Sequence, residues 1–184
     1  MKSYNDRNIR VLGIAASTRG FGFAVMDEKA LIDWGVKVVN GGSKNARCLS
    51  NVANLIARYE PDAIALEDPK TSRRGSRVKA LIRKIVALAK KEKIKVKQFA
   101  GKEVSLGLLK RENGTKRALA KHVAARYPEE LGFRLPQRKR RDYDSEDYRM
   151  YIFEAVGLAQ NCLQNVTIMK PISNDLPSTG RQSD

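Results

Sequence analysis

Three acidic residues far apart in the chain, Glu67, Asp147 and Glu154, are the first candidates for chemistry. Metal-assisted phosphodiester cleavage needs several carboxylates near two cations roughly 3.5–4 Å apart, one activating water and the other stabilising the leaving oxygen. It needs no hydroxyl or imidazole nucleophile. That suits a chain with one histidine and two cysteines, too few to make a zinc site. A catalytic metal here has to be held by carboxylates, which favours Mg²⁺ or Mn²⁺.

Each acidic residue has a chemical and a plain structural reading. Glu67 follows Ile64-Ala65-Leu66 at the C-terminal end of an apolar strand, the rim where open sheets bind ligands. It also reads as a surface glutamate. Glu154 lies inside the run Tyr151 to Ala159, where an acid is costly to bury unpaired. A metal or a salt bridge would resolve that cost, as would an exposed helix stripe. Gly157, one turn on, would let this helix approach the sheet closely. Asp147 precedes Glu154 by about two helical turns, which puts both side chains on one face with a rise of about 10 Å. Glu146 and Asp147 equally suit the first turn of a helix, where the dipole favours negative charge. His122, beside Lys121, is expected to be half-exposed rather than a general base. Neither a Walker-type nor a Rossmann-type glycine pattern is present.

The charge balance points to the partner. There are 36 Lys and Arg against 20 Asp and Glu, a formal charge of +16 over 184 residues. Such a surface attracts polyanions, and nucleic acid is the expected partner. Lys70, Arg73, Arg74 and Arg77 follow Glu67 and open a helix whose free amides add anion-binding capacity. Lys110 and Arg111 form a second group. Arg138-Lys139-Arg140-Arg141 is the densest run. These contacts would position a phosphate backbone without reading sequence.

A hydrophobic fraction of 42% with 30% charged residues excludes a membrane protein and general disorder. No run approaches the 18 apolar residues of a membrane span, and Met1 to Arg10 has no apolar signal core. Cys48 and Cys162 lie among apolar residues and read as reduced and buried. A cytoplasmic or nucleoid-associated protein is expected.

The elements that must position these residues follow from periodicity. Asn8 to Ala15, Phe21 to Met26 and Leu31 to Val39 read as strands of an antiparallel meander, joined by short turns. A helix up to Tyr59 is stopped by Pro61. A short strand then ends at Glu67; it and the first strand, Ile9 to Ile14, are nearly wholly apolar and are the candidates for the sheet centre. Arg77 to Lys93 reads as a long amphipathic helix, and Ile94 to Phe99 as a half-charged edge strand. Helices follow near Lys102 to Leu109 and from Lys116 to Tyr127. A last one is capped by Asp144 or Ser145 and runs to about Leu163. The order β-β-β-α-β-α-β-α-α-α implies one α/β domain over residues 9–165. Its five-stranded mixed sheet has three antiparallel and two parallel strands, flanked by helices. Residues 1–8 are expected as a flexible N-terminus and residues 166–184 as a disordered tail.

The chain resembles the RNase H-like superfamily, and within it the RuvC-like Holliday junction resolvases. Three segments carry this: Val11 to Asp27 looks like the first hairpin, Ile64-Ala65-Leu66-Glu67 like the strand with the catalytic glutamate, and Glu154 to Ala159 like the C-terminal helix with the last acidic ligands. The resemblance implies a metal-dependent endonuclease of branched DNA, acting in recombination or repair. It would use two Mg²⁺ or Mn²⁺ ions, with catalytic positions at Ala15, Glu67, Asp147 and Glu154. Glu67, Asp147 and Glu154 would be the metal ligands. It also implies a two-fold homodimer through the helix Arg77–Lys93.

The chain departs from that pattern in three places. The first strand ends at Ala15, where the family has the aspartate shared by both ions. One turn before Glu154, where the family has an acid or histidine, stand Met150 and Tyr151. Glu154 itself replaces the more usual aspartate. A methyl cannot bind Mg²⁺. The resemblance therefore implies an inactivated nuclease. The alternatives are a noncatalytic binder of branched DNA or RNA with the same fold, or a nuclease that processes ribosomal RNA precursors.

Overall fold

The computed structural model describes residues 8–137 and 147–168. The N-terminal segment, the basic run Arg138 to Arg141 with Glu146 and the proposed caps Asp144 and Ser145, and the expected tail beyond Ile168 lie outside the described residues.

Strands β1 (Arg10–Ala16), β2 (Gly20–Asp27) and β3 (Ala30–Val38) form the antiparallel meander. Helix α1 (Lys44–Tyr59) leads to β4 (Ala63–Glu67), and α2 (Ser76–Lys91) to β5 (Lys95–Phe99). These two strands extend the sheet in parallel, giving the order β3-β2-β1-β4-β5. The apolar strand β1 is central and β5, with Lys95 and Lys97, is an edge, as the sequence predicts. Helices α3 (Gly101–Leu109), α4 (Lys116–Arg126), the short α5 (Pro128–Leu131) with a following 3₁₀ turn, and α6 (Met150–Ile168) complete the described fold.

The pleat sorts the strand residues onto two layers. Leu12, Ile14, Phe21, Phe23, Ile64 and Leu66 pack against α1 and α2. Val11, Ala15, Ala63 and Ala65 pack against α6, α4 and α3. Two glycines in the sheet admit α6. A side chain at Gly13 would meet the Ala155 carbonyl oxygen at 2.1 Å, and one at Gly22 the Tyr151 carbonyl oxygen at 2.3 Å. Gly157, the residue whose small size was expected to allow this approach, faces Leu119 of α4 instead.

Helix α6 begins at Met150, several residues later than the expected cap. The Asp147 carboxylate accepts the Arg149 backbone N–H at 2.9 Å and pairs with its guanidinium at 2.6 Å. Asp147 therefore precedes the helix, and the expectation that it shares a helical face with Glu154 does not hold. The local carboxylate-to-amide turn competes with helical hydrogen bonding and wins there.

Candidate functional site

The site follows from the β1–β4 register. The ladder pairs Ile14 with Leu66, so Ala15 and Glu67 are the next residues on two adjacent parallel strands. Both point toward the α6 layer, as Val11 and Ala63 do. On α6, Tyr151 and Glu154 are one turn apart. The seat of that helix on Gly22, which pairs with Ala15, brings Tyr151 close to the end of β1. The Ala15 methyl is buried, and Ala15, Glu67 and Glu154 line one cleft of about 760 Å³.

Arg74 lies between the two carboxylates. Its Nε donates to Glu67 Oε2 and its Nη2 to Glu154 Oε2, both at 2.5 Å. The loop after β4 is built to deliver it. The Asp68 N–H donates to the Phe99 carbonyl, Ser72 N–H to the Asp68 carbonyl, and Arg74 N–H to the buried Ser72 hydroxyl. Lys116, the first residue of α4, reaches Glu154 Oε1 with its Nζ at 2.9 Å. Both cations also face the Tyr151 ring, at 5.5 and 5.6 Å from its centroid. Burial opposes the charge on Arg74. Glu154 and Glu67 outweigh it, and the guanidinium is held above its ordinary pKa. Two carboxylates thus meet two side-chain cations, and the cleft floor carries no net charge.

This donor set does not suit a divalent ion. Mg²⁺ prefers near-octahedral oxygen ligation. Position 15 offers a methyl group, position 151 the face of an aromatic ring, and the carboxylates already carry a guanidinium and an ammonium group. Among the described residues, no group of three or more His, Cys, Asp or Glu is arranged to hold a metal ion. Asp147, expected as a third ligand, is not in the cleft lining and is paired with Arg149.

The basic residues divide by role. Arg73 is exposed at the cleft mouth with Lys102, which the sequence reading did not single out. Arg77 is used internally: its guanidinium donates to Asn45 Oδ1 at 2.8 Å and to the Ser17 and Thr18 carbonyls at 3.1 and 2.7 Å. Lys70 and Arg111 are exposed outside the cleft lining. Lys110 donates to the Gly107 carbonyl and lines a different hollow, which also contains the half-buried His122. Lys116 was missed because nothing local to α4 announces a partner on α6. Thr115, whose hydroxyl caps Ala118 N–H at 3.1 Å, signals only that a helix starts there.

No protein-family model matches the sequence, and neither does any curated protein. Solved structures do match. The chain is similar to Thermus thermophilus RuvC, with 16% identity and a TM-score of 0.64 over 86% of this chain and 96% of that one. It matches T. thermophilus RuvC in complex with a Holliday junction substrate at 17% identity and a TM-score of 0.65, over 87% and 96%. The yeast mitochondrial Holliday junction resolvase matches at 15% identity and a TM-score of 0.57, over 88% and 82%. The fold is therefore the RNase H-like α/β fold. Its arrangement is the one seen in RuvC-type Holliday junction resolvases.

Proposed function

We propose that this protein binds branched nucleic acid, four-way DNA first among the candidates, and does not cut it. The observation that carries this reading is the neutralised acid pair beside a methyl: Arg74 spans Glu67 and Glu154 where the fold's resemblance implies ion-binding carboxylates, and Ala15 contributes none. What remains is a cleft suited to phosphate. Arg73 and Lys102 stand at its mouth against one further acid, Glu112, and the starts of α3 and α4 open onto it through Gly101, Lys102, the cap Thr115 and Lys116. Backbone amides at helix starts favour anions. Because the protein's own cations cancel the carboxylates, a polyanion can approach without a metal ion to screen them. The solved RuvC complex with a Holliday junction supports the choice of branched DNA. A two-fold homodimer belongs to the same proposal, since a four-way junction presents paired arms.

The test is a mobility-shift titration of a labelled four-way junction against linear duplex and structured RNA. It is run once with chelator and once with Mg²⁺, and the products are resolved on a denaturing gel. Junction binding should be the tightest of the three and equal in both buffers, with the strands intact. Strand nicks in Mg²⁺ would overturn the reading. Preference for structured RNA would move the proposal to an RNA-binding role.

A further inference from the structure

The geometry points to the Glu67–Glu154 pair as an organic-cation site, occupied by the chain's own Arg74 and Lys116, which needs two changes rather than one to accept a divalent metal. The inference deepens the proposed reading of the same cleft and rests on it.

Four features agree. The carboxylates are spaced so that one guanidinium bonds both, through Nε and Nη2, in the forked geometry that a point charge does not exploit. The third wall is the Tyr151 ring, facing both Arg74 and Lys116, and aromatic faces hold guanidinium and ammonium groups. The fourth is the Ala15 methyl. The cage is shielded on the Arg74 side: the side chains of Arg74, Glu67 and Glu154 are 16%, 24% and 12% exposed, whereas that of Lys116 is 48% exposed. A divalent ion entering it would have to displace a half-buried, doubly paired guanidinium and still find too few oxygens. Aspartate at position 15 supplies an oxygen but leaves Arg74 in place. Removing Arg74 opens the pair but leaves the methyl. Only both together make a cluster of three carboxylates without the bridging guanidinium, leaving Lys116, the more exposed of the two cations, as the one competitor on Glu154.

Two readouts independent of cleavage test this. Mn²⁺ binding is measured by electron paramagnetic resonance on the wild type and on Ala15→Asp, Arg74→Ala and the double variant. Thermal unfolding is followed on the same proteins with about 10 mM methylguanidinium, Mg²⁺ or Mn²⁺. The double variant alone should bind Mn²⁺, at least about tenfold tighter than either single variant, and gain melting temperature with it. Arg74→Ala should melt lower than wild type and recover part of the loss with methylguanidinium, which leaves the wild type unmoved. Mn²⁺ binding by the wild type, or by Ala15→Asp as tightly as by the double variant, would overturn the inference. So would rescue of Arg74→Ala by Mn²⁺ and not by methylguanidinium. Should Arg74→Ala fail to fold, the wild type and Ala15→Asp still decide the question through Mn²⁺ binding. Junction affinity is measured separately on the wild type. Its absence would sink the proposed function while leaving the cation-site result standing.

Discussion

At the scale of single residues, the cleft holds two carboxylates from distant parts of the chain on one guanidinium. Glu67 and Glu154 were legible in the sequence, because an acid ending an apolar strand and an acid inside an apolar helix each need a partner. The partner itself was not legible. Arg74 reads in sequence as one of several basic residues after Glu67, and only the fold shows that it bridges to a residue 80 positions away. Asp147 was misplaced for a similar reason: helical spacing says nothing about where a helix begins. Cys162 offers a separate check on the core. Burial pushes its thiol up to about 11 from 9.0, with Lys97 pulling weakly the other way. The native thiol therefore keeps a proton that the unfolded chain loses above pH 9.0, so its contribution to stability is complete below that pH and fades as pH rises through about 11. Cys162 should resist alkylation at pH 8 until the protein is unfolded, as a time course of thiol labelling with and without denaturant would show.

At the scale of elements, strand order and helix count were readable because the periodicities are strong and the turns are short. β1 and β4 read as interior strands from their unbroken apolar runs, and β5 as an edge from its lysines. The seat of α6 was read at the wrong glycine, because packing partners are set by tertiary contact that one helix's pattern does not contain. The correction makes a sharp contrast. Gly13→Ala and Gly22→Ala press a methyl against α6 backbone and should each cost about 3 kcal/mol in denaturant unfolding. Gly157→Ala meets only the movable ends of Leu119 and gains helix propensity, so it should stay within about 1 kcal/mol of wild type. Equal effects at all three positions would contradict this account of how the helix rests on the sheet.

At the scale of the whole molecule, the charge of +16 is not one undivided reserve. Arg74 and Lys116 are committed to carboxylates and Arg77 to carbonyls, whereas Arg73 and Lys102 face the cleft opening. Each cation that touches a phosphate adds about 0.9 to the slope of log affinity against log salt. Arg73→Ala and Lys102→Ala should therefore each flatten that slope by about one, whereas Arg77→Ala should lower the melting temperature and leave it unchanged. Among the described residues no helix is long and apolar enough to cross a membrane. The link from Arg74 to Glu154 also has a consequence for biosynthesis. A chain is made from its N-terminus, and Glu154 belongs to the last element of the described fold, so the sheet and the arginine emerge from the ribosome well before the glutamate that completes their grip. Until α6 docks, the nascent protein has a rim but no cleft, and the affinity proposed for it matures only once that helix has emerged.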